Sequence, residues 1–148
     1  MDDPKAKLQA ALKEAMTNKD NLRRDVIRMM MSAIKQVEID TRKELSAEDV
    51  IGVLQKEAKK RRESIDEAEK VGRGAIAEQE KIELAILEAF LPRQLSREEI
   101  TALVKEAIAQ TGVTSAKEMG KLMGALMPRV KGLADGKLVN EIVRELLS

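Results

Sequence analysis

Between residues 117 and 137 the chain sets bases among glycines: Lys117, Gly120, Lys121, Gly124, Arg129, Lys131 and Lys137. Four of its eight glycines lie in MGKLMGALMPRVKGLADGKLVNEIV, residues 119–143, where four bases are opposed only by Asp135 and Glu141. Cations beside residues that lack side chains suit one chemistry, the neutralisation of phosphates on a polyanion whose backbone comes close. On a helix turning about 100° per residue, Met119, Leu122, Met123, Leu126, Met127 and Val130 gather on one side. Lys117, Lys121, Gly124, Pro128 and Lys131 gather on the other, with Gly120 at its edge. Gly120 and Gly124 form a small-xxx-small pair on the basic side, where a sugar–phosphate strand fits. A plainer account uses the same residues: glycines as turn and C-cap residues, methionines as core filler, lysines as solvated surface. Spacing alone leaves both open.

Other chemistries are excluded more firmly. The chain has no His and no Cys, which removes the commonest general base, the thiolate nucleophile and the usual transition-metal ligands. Carboxylate pairs such as Glu78/Glu80 and Glu98/Glu99 sit on acid-rich helix surfaces or in capping boxes, so no catalytic residue, metal ligand or cofactor is assigned. No P-loop or Gly-rich phosphate cradle is present. Phe90 is the sole aromatic, so bases have no stacking platform, and any nucleic acid must be held by backbone and shape. The net charge of +1 hides a small asymmetry, because residues 93–148 hold nine Lys/Arg against seven Asp/Glu. With no bilayer-spanning apolar run and no signal-peptide pattern, the expectation is a soluble cytoplasmic protein without membrane partners.

The elements that must position these residues are helical. Ala, Leu, Glu, Lys, Ile and Met dominate a composition that is 43% hydrophobic and 36% charged, which predicts an all-α protein. Helical spacing marks segments over about 4–17, 20–39, 46–70 and 75–90, then three more opening at Ser96, Ser115 and Asp135. Pro92 in FLPRQ divides a four-helix N-terminal unit, 1–92, from a three-helix C-terminal unit, 93–148. LSAED and LSREEI each read as a capping box with a hydrophobic staple: Ser46 with Asp49, and Ser96 with Glu99. Ser115, with Glu118 three residues on, repeats the start signal, and Pro128 is placed to kink or end that helix. In QKEAKKRRES the bases ring their helix and are expected to be neutralised by the acids that follow them, Glu63, Asp66, Glu67 and Glu69. Arg24, Arg28 and Lys35 share a face, either ordinary surface charge or a second RNA contact.

Four blocks, VIRMMMSAIKQVEID, LQKEAKKRRESIDEAEKVGR, ELAILEAFLPRQLS and MGKLMGALMPRVKGLADGKLVNEIVRELL, resemble the GatB/YqeY family over nearly the full length, and in particular its free-standing members. The resemblance implies two helical units, the second similar to the tail domain of the B subunit of tRNA-dependent amidotransferases. That domain grips tRNA, which carries tRNA-backbone contact to Lys117, Lys121, Arg129, Lys131 and Lys137. Partners implied are tRNA and an amidotransferase or other translation-related protein. Catalysis does not carry over, since the amidotransferase chemistry belongs to a separate domain. Any carbon–nitrogen ligase activity with glutamine as amido-N-donor rests on the resemblance alone. The competing expectations are a ligase component and a helical adaptor that grips an acidic protein.

Overall fold

The computed structural model describes residues 3–148, and every regular element among them is helical. The chain divides into two compact units, Met1–Pro92 and Arg93–Ser148. In the first, α1 (Pro4–Thr17) starts where the Asp3 carboxylate accepts from the Lys5 N–H and Pro4 occupies a position whose N–H has no helical partner. α2 (Asn21–Thr41) is capped by Asp20 and closes on Arg42 in the left-handed region, two residues beyond its expected end. α3 (Ala47–Lys70) begins where Ser46 Oγ accepts from the Asp49 N–H at 3.1 Å. α4 (Gly74–Glu88) returns antiparallel after a turn in which Gly72 has φ +76°, a conformation open to glycine at little cost.

Leu8, Ile27, Met30, Val50, Leu54 and Leu87 fill the main core of this unit, contributed by all four helices. The distal half of the α3–α4 hairpin carries a smaller cluster of Ile65, Ala68 and Ala77. Basic residues of QKEAKKRRES find their partners differently from the expectation. Arg61 pairs with Glu83 and Arg62 with Glu88, both on α4, while Lys60 reaches back to Glu57. Antiparallel packing brings α4 carboxylates alongside these guanidiniums, an arrangement that intrahelical spacing cannot reveal. On the same hairpin Ile76 and Ile82 are about half exposed, because Ala77, Leu84 and Leu87 carry the inward line of α4.

The second unit is built on α5 (Arg97–Thr111), α6 (Met119–Val130) and α7 (Gly136–Leu147), with a 3₁₀ turn over Ala116–Glu118 before α6. α5 opens with a complete capping box: Ser96 Oγ accepts from the Glu99 N–H, and the Glu99 carboxylate accepts from the Ser96 N–H. It ends at Gly112, φ +71°. Ser115 makes no such cap, and Glu118 instead accepts from Thr114 Oγ1 at 3.3 Å, so the α-helix starts later than its sequence signal. α5 packs against both α6 and α7. Ile100, Val104, Leu122, Leu126, Val139 and Ile142 form the centre of the core, each essentially inaccessible to solvent.

Candidate nucleic-acid interface

The apolar stripe of α6 sets the orientation of everything else on it. Leu122, Leu126 and Val130 are buried, and Met119, Met123 and Met127 pack partly buried against the same core. The opposite side is therefore presented to solvent: Gly120, Lys121, Gly124, Ala125 and Pro128 are all exposed, as is Lys117 one turn before. The helix continues through Pro128 to Val130 instead of ending there. α6 has no acidic residue in its first turn, so nothing on that turn offsets its cations.

The glycines separate into two kinds. Gly132 has φ +77° in the turn after α6, a backbone that L side chains rarely adopt. Its carbonyl accepts from Gln94 Nε2 at 3.0 Å, and the next carbonyl, Leu133, accepts from the Leu95 N–H at 2.7 Å, so the α5 approach segment pins this turn. Gly136 is the first residue of α7, after Asp135, whose carboxylate accepts from the Lys137 N–H at 3.2 Å. Gly120 and Gly124 are of the other kind. Both lie inside a helix, and beyond the neighbouring residues and backbone of that helix a Cβ at either would meet nothing within 4 Å. Among the described residues neither a turn nor packing against another element accounts for them, as is also true of Gly52 inside α3.

The cations also separate. Lys117, Lys121 and Lys137 are exposed and form no ion pair among the described residues. Arg129 is engaged: its Nη2 lies 3.0 Å from Glu106 Oε2, a bridge from α6 to α5. Lys131 is exposed in the turn after α6. Sequence spacing did not single out Glu106, since the two residues are 23 positions apart. Nor did it single out Lys105 on α5 and Arg144 on α7, which are exposed and without an ion pair among the described residues. Elsewhere in the unit Arg93 is held by Glu99 (2.6 Å) and Arg97 by Glu145 (2.8 Å). The hydrogen bond from Arg93 and the cap bond from Ser96 hold the Glu99 carboxyl down at about 2.

In the N-terminal unit the face of Arg24, Arg28 and Lys35 is partly occupied. Arg24 pairs with Asp25 at 2.9 Å and bonds Asn21, while an Arg28 N–H points at the Met16 sulfur 4.0 Å away. A recess of about 310 Å³ lies near the far end of that face, between α1 and α2. Lys5 and Glu38 close it as an ion pair, and Glu38 also accepts from the Leu45 N–H at 2.9 Å.

Comparison with known proteins places this architecture. The family model described as Yqey-like protein matches residues 5–147. The altered inheritance of mitochondria protein 41, mitochondrial, of Kluyveromyces lactis is 40% identical over 107 residues, covering 70% of this chain and 57% of that protein. Its namesake in Pyrenophora tritici-repentis is 30% identical over 95% of this chain and 79% of that protein. A glutamyl-tRNA(Gln) amidotransferase subunit of Thermococcus sibiricus is 30% identical over 88% of this chain, which amounts to 21% of that longer protein. The chain spans only about half to three-fifths of the length of several fungal relatives. These relatives correct the cytoplasmic placement expected from the sequence, because the fungal proteins are named as mitochondrial. That expectation rested on missing features. Among the described residues no helix is long and apolar enough to cross a membrane, but a helical body carries no compartment address either way. Matched almost end to end by the family model, and related in sequence to an amidotransferase subunit, the chain belongs to the Yqey-like protein family.

Proposed function

We propose that this protein binds tRNA, or structured RNA resembling it, by laying the outer face of α6 against the sugar–phosphate backbone. The observation that carries this reading is the pair Gly120 and Gly124, solvent-facing and unpacked beside Lys117 and Lys121. Glycine inside a helix gives up about 0.5–1 kcal/mol relative to alanine. Nothing within the chain returns that cost at either position, and a backbone-to-backbone approach by an outside partner would. The unpaired ammonium groups of Lys117, Lys121 and Lys137 supply the complementary charge, with Lys131 beside them in the turn. With Phe90 alone for stacking, recognition runs through phosphate neutralisation and shape. Arg129 serves this surface by holding α6 to α5.

The kinship with a subunit named for glutamyl-tRNA(Gln) supports tRNA as the partner class, with residues 93–148 acting as the RNA-gripping unit and a translation-related protein as the second partner. The role is that of an accessory binding protein. The test is binding of unmodified tRNA transcripts across a salt series by the wild type and by a Lys117→Glu, Lys121→Glu, Lys131→Glu variant of unchanged helical content. Salt-sensitive binding that disappears in the variant is expected. Absence of wild-type binding at low salt would sink the reading and leave this face as a surface for an acidic protein.

A further inference from the structure

The recess between α1 and α2 lies outside the surface assigned to RNA, and its lining joins two chemistries. One part is apolar: Leu8 and Ile34, both almost wholly buried, with Met31 beside them. The other is charged. Lys5, Lys35, Glu38 and Glu44 line the recess and also a shallower depression of about 490 Å³ that reaches Ile39, Arg42 and Lys43 at the end of α2. Ile39 is more than half exposed there. At about 310 Å³ the recess stands at the small end of the range for ligand cavities, roughly 300–1,000 Å³.

The charges around it do not cancel. Both acids face Lys5: Glu38 forms its ion pair and also accepts from the Leu45 N–H, and Glu44 lies 3.8 Å from the same ammonium. Lys35, Arg42 and Lys43 are left exposed and without an ion pair among the described residues. Cations just past the C-terminus of a helix also suit its dipole, but the dipole does not account for an apolar recess beside them. RNA fits this place poorly, since phosphates and sugars gain nothing from Leu8, Met31 and Ile34. A molecule with an anionic head and a short aliphatic tail satisfies both parts. Its tail enters between α1 and α2, and its head meets the three cations.

We infer that this recess binds a small amphiphilic anion, a carboxylate or phosphate ester on a chain of several carbons, with Lys35, Arg42 and Lys43 holding the head and Leu8, Met31 and Ile34 the tail. The test titrates octanoate and octyl phosphate into the full chain and follows backbone amide shifts by NMR, with inorganic phosphate and octanol as head and tail alone. Shifts are expected around Ile34, Ile39 and Leu45, at concentrations roughly tenfold or more below those either fragment needs. Shortening octanoate to butanoate should weaken binding by roughly two- to fourfold per methylene. Two variants assign the head. Lys35→Gln with Lys43→Gln removes exposed charge and should weaken octanoate by about tenfold, the scale of a charge-assisted hydrogen bond, with little change in melting temperature. Arg42→Gly should weaken it too while raising the melting temperature, because Arg42 has φ +56°, a conformation that glycine adopts at less cost. Octanol binding as tightly as octanoate, or octanoate binding that survives in both variants, overturns the role of the cations and the inference with it. Absence of shifts at millimolar octanoate and octyl phosphate overturns the site itself. Sedimentation with phosphatidylglycerol vesicles separates a free molecule from a bilayer: a chain that pellets with vesicles yet ignores both free amphiphiles also overturns the inference.

Discussion

Gly120 and Gly124 carry opposite consequences for stability and binding, which makes them the most informative single positions. An alanine methyl at either has room, and the helical backbone there suits it. Gly120→Ala and Gly124→Ala should therefore each stabilise the chain by about 0.5–1 kcal/mol in urea titrations. The same methyls stand between the helix and an approaching ribose, so both variants should bind tRNA more weakly despite being more stable. A variant that is more stable and binds as well as the wild type would show that the bare surface has no role. Arg129 provides the contrast. Its charge is already paired with Glu106, so Arg129→Met should lower RNA affinity less than Lys121→Met, as compared by anisotropy titration.

The start of α5 is where local sequence, capping and electrostatics converge. Ser96→Ala removes the cap bond to the Glu99 N–H and should cost about 0.5–2 kcal/mol in unfolding experiments. Glu99 adds a pH dependence of known sign. Its folded-state carboxyl titrates at about 2, below the ordinary 4.5, because Arg93 donates to it and the Ser96 N–H helps. Its stabilisation is therefore complete above the unfolded value and is lost as pH falls from there toward the folded one. Melting temperature should drop over that acid window, and Glu99→Gln should flatten the drop. The companion start at α3 shows the Ser46 arm of the box, but Asp49 is one methylene shorter than the glutamate of α5. α6 follows a 3₁₀ turn and has no side-chain cap bond, and α4 likewise starts without one at Arg73.

At the scale of the molecule, each unit encloses its own core. Leu122 is inaccessible within the C-terminal cluster, so Leu122→Ala should destabilise that unit by about 2–5 kcal/mol. Hydrogen exchange should register the loss at amides around Val104 and Ile142, which line the same cluster, and the α6 face should lose RNA affinity with it. The charge available for an RNA is small, and that limits the salt effect. Three unpaired lysines predict a slope of about −2 to −3 for log affinity against log salt, and each lysine removed should reduce it by about 1. A slope unchanged in the triple glutamate variant would place the contact elsewhere.

Much of this was legible in the sequence because it is local. Helical periodicity, the Ser96/Glu99 box, Gly112 and Asp135 all act within a few residues of themselves, and so does the split of α6 into a methionine–leucine side and a glycine–lysine side. The family blocks were legible for the same reason. What the sequence could not determine is which charges are spent on one another. Arg129 meets Glu106, Arg61 meets Glu83 and Arg62 meets Glu88 only because packed helices bring distant positions together. The same holds for Gln94 and Leu95 against the turn at Gly132 and Leu133. Tertiary structure also separated the glycines, giving Gly132 to the turn and leaving open space where a Cβ at Gly120 or Gly124 would stand. Periodicity tells which residues share a side of a helix. Whether that side is packed, paired or open depends on the surfaces that other helices bring to it, and those are set only when the chain has folded.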